Sequence, residues 1–490
     1  MDYQPPTHLL EVLQKIEYEQ PLDDDDPRFV ETAEARGSDR TFIRLARKFG
    51  WDPERGAFFP PTEKHLLFFG HIGSGKTTEL RRYAVKLNAS RRFHVIEVDV
   101  LTRLDRNNLQ YSEVLLAMAE SLLEQLRDQG CALSEQTLQP LRTWFMEASR
   151  SHIETNELSA AIATSAQAGA GIPGLIQLLA KFTSGFRTGS SVRTEWREQI
   201  RNRFSDLARA FNSLIRASEA ELRRQHKAER LLFLIDGTDK LRGEDTQRFF
   251  VEDAEQLLAI QALAIYTAPL QLKFDGRLDG RLDADMVLPM IKLEQRDGQP
   301  FAVGRRTLRD LLLRRADLGL FASEAEVEQL VSASGGQPRE LLHLLKLCCE
   351  LADDRIDAAV VRTAIAKLAA EYRYFLNPGD YVLLKTIDSG QAVAGHDGRA
   401  QDLMHRLTLL QSNDGGWCRS HPVVRTLEGY QRPERAWNRR ICSRSTGTAS
   451  PTARRPRAQL GERHTQTRRI PAWKAGRQTT TRFSLDSLLG

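Results

Sequence analysis

Gly70-His71-Ile72-Gly73-Ser74-Gly75-Lys76-Thr77 fits the spacing Gly, four residues, Gly-Lys-Ser/Thr, the phosphate-binding loop. Each residue type has chemistry to do. Glycines let the backbone curl so that N–H groups converge on phosphate oxygens, with a helix N-terminus behind them. Lys76 would reach the β- and γ-phosphates of ATP, and the Thr77 hydroxyl would ligate Mg2+. Thr78 follows as the last residue of the cradle. An apolar run, 65–69, precedes the loop and a helical run, 78–87, follows it. A phosphate-binding loop needs that strand–loop–helix setting.

The second half of the site lies well downstream. Leu231-Leu232-Phe233-Leu234-Ile235-Asp236 is a continuous apolar run ending in an acid, as expected of a strand buried on both faces of a parallel sheet. Asp236 would emerge at the carboxyl edge of that sheet beside the loop, where it can hold Mg2+. Asp239 could polarise the attacking water, or it could cap a helix starting near Asp245. Thr267 ends a further strand, 262–268, close to the γ-phosphate. These carboxylates with Lys76 form the candidate catalytic set.

The elements that position them follow from periodicity. Residues 93–100 alternate as a strand, and 112–127 place Val114, Leu115, Met118, Leu122 and Leu126 on one helical face. A last strand over 286–293 contains Pro289, so it belongs at a sheet edge. Residues 130–228 read as a helical insertion. Within it, 158–180 hold 23 residues without a charge. Clustered Gly with Ser, Thr and Gln favours a flexible hairpin there over a membrane span. Ile200, Phe204, Leu207, Phe211 and Leu214 then recur at helical spacing. Before the loop, residues 1–60 form a helical arm whose acidic run, 23–26, reads as solvated loop.

Charge is unevenly spread. Residues 431–490 carry 14 Lys/Arg against 3 Asp/Glu, a net +11. Taking these from the totals of 70 and 65 leaves 56 against 62 in residues 1–430, a net −6. The tail is rich in Arg, Thr, Ser and Pro and lacks apolar periodicity, so it reads as disordered; the abrupt change also fits an altered reading frame. Cys131, Cys348, Cys349, Cys418 and Cys442 have neither metal nor disulfide spacing, which suggests a reducing, cytoplasmic setting. The first residues lack the pattern of a signal peptide.

With its phosphate-binding loop, Asp236-Gly237-Thr238-Asp239, Thr267 and Ser334-Gly335-Gly336-Gln337-Pro338-Arg339-Glu340-Leu341, the chain resembles the AAA+ superfamily of P-loop ATPases over about residues 60–430. The similarity is greatest to the branches containing origin-recognition ATPases and the signal-transduction ATPases with numerous domains (STAND). The resemblance implies an α/β fold with a parallel sheet of order 5-1-4-3-2, a P-loop core over 61–298 and a helical lid over 299–373. It also implies that Arg339 senses the γ-phosphate from the lid, unless it is an ordinary surface arginine. Gly237 stands where many members have Glu, which favours a STAND-like pattern and slow hydrolysis. The family's trans-acting arginine would fall at Arg277 or Arg281, although Asp-Gly-Arg-Leu-Asp is also turn chemistry.

Residues 379–430 resemble a small winged helix, with helices over 381–387 and 400–410 and a turn at 412–416 leading into 417–424. Two outputs follow as expectations. One is an ATP-controlled switch that forms homo-oligomers or engages a protein partner, in signalling or antiviral defence by family analogy. The other is a DNA-binding initiator or loader, using the winged helix and basic tail on nucleic acid. A membrane effector acting through 158–180 is a distant third.

Overall fold

The computed structural model describes residues 3–37, 40–104, 109–150, 171–188, 197–241, 244–274, 278, 282–391, 395, 397–412 and 417–432. The basic tail, the first part of the uncharged stretch, Arg277 and Arg281 lie outside the described residues.

The chain begins with α1 (Leu9–Lys15) and α2 (Thr41–Lys48). The core then opens with β1 (Lys64–Gly70), α3 (Lys76–Ala89) and β2 (Phe93–Asp99). The helices that follow include α4 (Tyr111–Asp128), α5 (Glu135–Arg150), α6 (Ile172–Thr188) and α7 (Phe204–Arg224). The sheet is completed by β3 (Arg230–Asp236), β4 (Leu263–Pro269) and β5 (Asp283–Val287). Its order is β2-β3-β4-β1-β5, all parallel. This is the predicted order 5-1-4-3-2 read from the opposite edge.

Side chains alternate across a strand, and both faces of this sheet are covered. Leu66 and Phe68 of β1 pack with Leu80, Ala84 and Leu87 of α3, while Leu67 and Phe69 enter a second core with helices α4 and α7. On β3, Leu232 and Leu234 face the first core and Leu231, Phe233 and Ile235 the second. The uninterrupted apolar run before Asp236 therefore serves two cores. Parallel register fixes where the strands end. Asp99 lies opposite Asp236, and Thr267 opposite Phe68, two residues short of Gly70.

Three sequence expectations are corrected. β5 sits at the edge, but it stops at Val287 and excludes Pro289. Leu288 still donates its N–H to Phe69 O at 2.8 Å; proline has no N–H with which to continue the ladder. Second, the described part of the stretch expected as a flexible hairpin is helical, Ile172–Thr188, and residues 158–170 lie outside the described residues. Its Leu175 and Leu179 are buried in the core, so packing orders a segment whose glycines had suggested flexibility. Among the described residues, no helix is long and apolar enough to cross a membrane.

Beyond the sheet come α8 (Ala302–Leu313), α9 (Glu324–Ala333), α10 (Pro338–Leu351) and α11 (Ala358–Arg373). Ser323 and Glu326 form a capping box at the start of α9, and Pro338 opens α10. The chain ends its described part with α12 (Pro378–Asp388), α13 (Gly398–His405), β6 (Leu409–Ser412) and β7 (Trp417–Ser420). Here lies the third correction. The helix expected over 400–410 ends at His405, because Leu409 and Leu410 pair with Ser420 and Arg419 in an antiparallel hairpin. Likewise 417–424 divides into β7 and the helical turn Pro422–Arg425.

Candidate nucleotide-binding site

The loop between β1 and α3 is shaped by two glycines. Gly73 and Gly75 have φ of +78° and +95°, a region that L side chains enter at a cost. A Cβ at Gly73 would lie 2.8 Å from Cβ of Arg339, so the loop and α10 approach as closely as glycine permits.

Donors from outside the loop hold its carbonyls. Gln337 Nε2 donates to Ile72 O (2.6 Å), the Arg339 N–H to Gly73 O (3.4 Å), and Arg36 Nη2 to Ser74 O (2.7 Å). In a trans peptide the N–H points opposite to the preceding C=O. Tying back these carbonyls therefore turns the N–H groups of Gly73 and Gly75 toward the cavity that both glycines line. A set of inward N–H groups is an anion cradle.

Lys76 is buried, its Nζ 3.0 Å from both Gly70 O and His71 O and 2.7 Å from Asp239 Oδ2. Thr77 Oγ1 donates to Asp236 Oδ2 at 2.8 Å. The two carboxyls titrate in opposite directions. Burial, then the neighbouring Asp239 charge, raise Asp236 above the usual carboxylate range. Burial would raise Asp239 too, but the Lys76 ammonium outweighs it and holds Asp239 low. Asp236 is thus a carboxylate short of positive charge, next to a hydroxyl, at the phosphate end of the cavity. That donor set fits Mg2+, a hard cation that takes one or two protein oxygens together with substrate phosphates.

The cavity holds about 170 Å³ and is lined by Ile72, Gly73, Gly75, Lys76, Thr77, Thr78, Asp236, Asp239 and Arg339. Structure brings these together from three separate stretches of chain. Asp239 lies in a turn with its carboxylate on Lys76, not on the helix that follows. Thr267 does not line the cavity; its Oγ1 accepts from Gly237 N at 2.9 Å and so fixes the backbone between Asp236 and Asp239. Gly70, His71 and Ser74 form the loop's outer wall. His71 is buried, and its Nε2 accepts the Gln411 N–H of β6 at 2.8 Å. Burial, and then the Lys76 charge, push its pKa down to about 3, so the ring is neutral and the proton sits on Nδ1.

Sequence reading missed the N-terminal arm. Tyr18, Pro21, Leu22, Phe29 and Val30 line the cavity opposite Leu311 and Leu342 of the lid, giving it an apolar end fit for a base. Leu22 N–H donates to Thr78 Oγ1 at 3.2 Å. The acidic run is tethered there, with Asp26 paired to Arg28 and Asp23 to Arg81, each at 2.7 Å. Arg36 was missed as well. It is 3% exposed and bonds Thr32, Ser74 and the Pro289 carbonyl beside Glu79. Asp99 is a further carboxylate in the wall, at the end of β2. An apolar Phe29-Val30 pair shortly before Arg36 was the available signal, and it is a faint one.

No family model matches the chain, and no curated protein matches it. Among solved structures it is similar to a variant of RuvB from Thermotoga maritima, at 13% identity and a TM-score of 0.32, covering 85% of this chain and 99% of that one. Cdc6p of Pyrobaculum aerophilum is similar at 12% and 0.33, covering 88% and 89%. ORC2 of Aeropyrum pernix is similar at 12% and 0.35, covering 88% and 98%. Scores this low carry no argument, and the core is characterised by its own topology: a five-stranded parallel sheet of order 5-1-4-3-2 with a glycine-rich loop between β1 and α3.

Proposed function

We propose that the protein is an ATP-binding, slowly hydrolysing AAA+/STAND-like switch. The observation that carries this is the loop itself: two glycines at positive φ lining the cavity, and a buried lysine held on Asp239. On ATP binding, Lys76 leaves its carbonyls for the β- and γ-phosphates, while the amides of Gly73 and Gly75 take the remaining oxygens. Thr77 and Asp236 would hold Mg2+, which supplies positive charge to the phosphates. Asp239, released from Lys76, accepts a proton from the attacking water. Arg339 follows the γ-phosphate from the first turn of α10. Gln337 and Arg339 bind the loop from the lid, so loss of the γ-phosphate is felt at the lid's root.

The output of the switch is a change in self-association or in contact with a protein partner. A loader acting on DNA is the second reading, and the described residues favour it less. In α13 and at its C-cap the arginines that would face a groove are already engaged, Arg399 with Asp380 at 2.7 Å and Arg406 with Asp402 at 3.2 Å. The test is Mg-ATP binding by Lys76→Ala, scored together with light scattering of the parent protein. The variant should lose at least tenfold in ATP affinity (roughly the value of charge-assisted bonds to phosphate), and the parent should enlarge with a non-hydrolysable ATP analogue. Normal affinity in a folded Lys76→Ala protein refutes the site; unchanged mass with the analogue, and with ATP, refutes the self-association.

A further inference from the structure

A second cavity, also of about 170 Å³, lies where the linker after β5, the lid and the C-terminal hairpin meet. It shares no lining residue with the nucleotide cavity. Three arginines line it: Arg305 from α8, Arg419 from β7 and Arg425 from the turn after β7. Among the described lining residues Glu294 is the one carboxylate.

Each guanidinium is anchored. Arg305 Nη1 donates to Ser332 Oγ at 2.9 Å and stands 3.8 Å from Glu328 Oε2, and Arg419 bonds Glu294 and the Arg296 carbonyl at 2.8 Å each. Arg425 Nε stands 3.6 Å from Asp388 Oδ2, an ion pair too long for a hydrogen bond. Arg419 also lies over the Trp417 indole, 5.3 Å from its ring centroid. Four buried atoms of the lining residues are left without a hydrogen-bond partner: Nε of Arg305, Nε of Arg425, Nε1 of Trp417 and Oγ of Ser420. The three nitrogens can only donate, whereas the hydroxyl donates or accepts. Buried polar groups in folded proteins are seldom left unpaired.

We propose that this cavity binds a small oxyanion of the phosphate class, either free phosphate or the phosphoryl head of a small metabolite. An acceptor-rich anion matches three guanidiniums and the orphan donors beside them; a cation meets arginines, and an apolar group leaves every donor unpaired. Gly335 is part of the wall, and two residues further on Gln337 holds Ile72 of the phosphate-binding loop. An oxyanion here therefore bears on the segment that shapes the nucleotide site. This assignment does not rest on the ATPase reading.

The test uses the full chain saturated with a magnesium-bound non-hydrolysable ATP analogue, so that the P-loop is filled through its γ-phosphate position, at constant ionic strength. Inorganic phosphate and glycerol phosphate are titrated separately by calorimetry. Saturable one-site binding of either supports the proposal, and the tighter of the two identifies the source. Arg305→Gln and Arg425→Gln should each weaken it about tenfold or more, losing charge-assisted bonds, with affinity for the ATP analogue unchanged. Trp417→Phe, the mildest change, should weaken it less and abolish the accompanying change in tryptophan fluorescence. Absence of saturable binding overturns the proposal. So does binding that is equal in folded Arg305→Gln, Arg425→Gln and parent proteins, since the basic tail would then be the site.

Discussion

The like-charged pair Asp236 and Asp239 is shared out by one cation. Lys76 sits on Asp239, and Asp236 is left with a hydroxyl. An acid whose folded pKa is raised costs stability once ionised, so the cost appears as pH rises from the unfolded value, about 3.9, through the folded one. Without nucleotide, Asp236→Asn should therefore melt higher than the parent at neutral pH. The advantage should fade as the pH falls below the folded pKa, where the parent carboxyl is also neutral. Turnover should drop on the order of a hundredfold, as when a charge-stabilising group is removed. Melting curves across pH, recorded beside turnover, check both; a lower neutral-pH melting point would mean that Asp236 has a cation already. Arg36 offers a second case. Its guanidinium and the Glu79 carboxylate lie 3.8 Å apart, 3% and 7% exposed. Removing one member of a buried pair leaves the other uncompensated, at about 3–5 kcal/mol. Arg36→Met should lose stability on that scale and ATP affinity with it, since Ser74 O is freed. Lysine, without a planar fork, should fail to rescue, whereas Arg36→Met/Glu79→Gln should recover part of the stability. Denaturant unfolding of the four proteins decides it.

At the scale of elements, the lid joins the core through a turn that tolerates no side chain. Gly336 has φ of +88°, and a Cβ there would lie 1.9 Å from Ile291 O. Gly336→Ala should cost at least about 1–2 kcal/mol from backbone conformation alone, with the clash in addition. Because Gln337 and Arg339 follow directly, ATP affinity should fall along with stability. A variant that loses stability but binds ATP normally would show that the lid's contacts to Ile72 and Gly73 are incidental. The Gly335-Gly336-Gln337-Pro338 turn and the helix behind it were legible in sequence, since glycines and a proline carry local instructions. So were the phosphate-binding loop and β3, where pattern and burial coincide. Pro289 could place its strand at an edge but not say which residue ends it, because that depends on the last N–H able to pair with Phe69. Residues 406–410 looked helical because Leu409 and Leu410 have apolar faces in either structure; pairing with β7, a long-range fact, decides. The N-terminal arm was illegible for the same reason. Phe29 and Arg36 acquire meaning only against residues far along the chain, such as Ser74, Glu79 and Leu342.

For the whole molecule the open question is nucleic acid. The net +11 of residues 431–490 guarantees attraction to phosphate backbones, independent of base sequence and falling steeply with salt. A domain that reads DNA behaves differently, because contacts to base edges keep a site preference when salt has weakened the rest. The C-terminal helices offer little for that. Arg399 lies against Asp380 and Asp402, Arg406 against Asp402, and Arg419 against Glu294. Freeing any of these would expose a carboxylate to a polyanion. Residues 1–430 are also net −6, which repels DNA at long range. Residues 1–432 should therefore bind duplex DNA negligibly near physiological salt and still bind ATP, whereas the full chain should bind DNA with a steep dependence on salt and none on sequence. Both follow from fluorescence anisotropy across a salt series with two unrelated duplexes. A sequence-selective footprint from the shortened protein would mean that the arginines leave their carboxylates for bases, and the loader reading would then displace the switch.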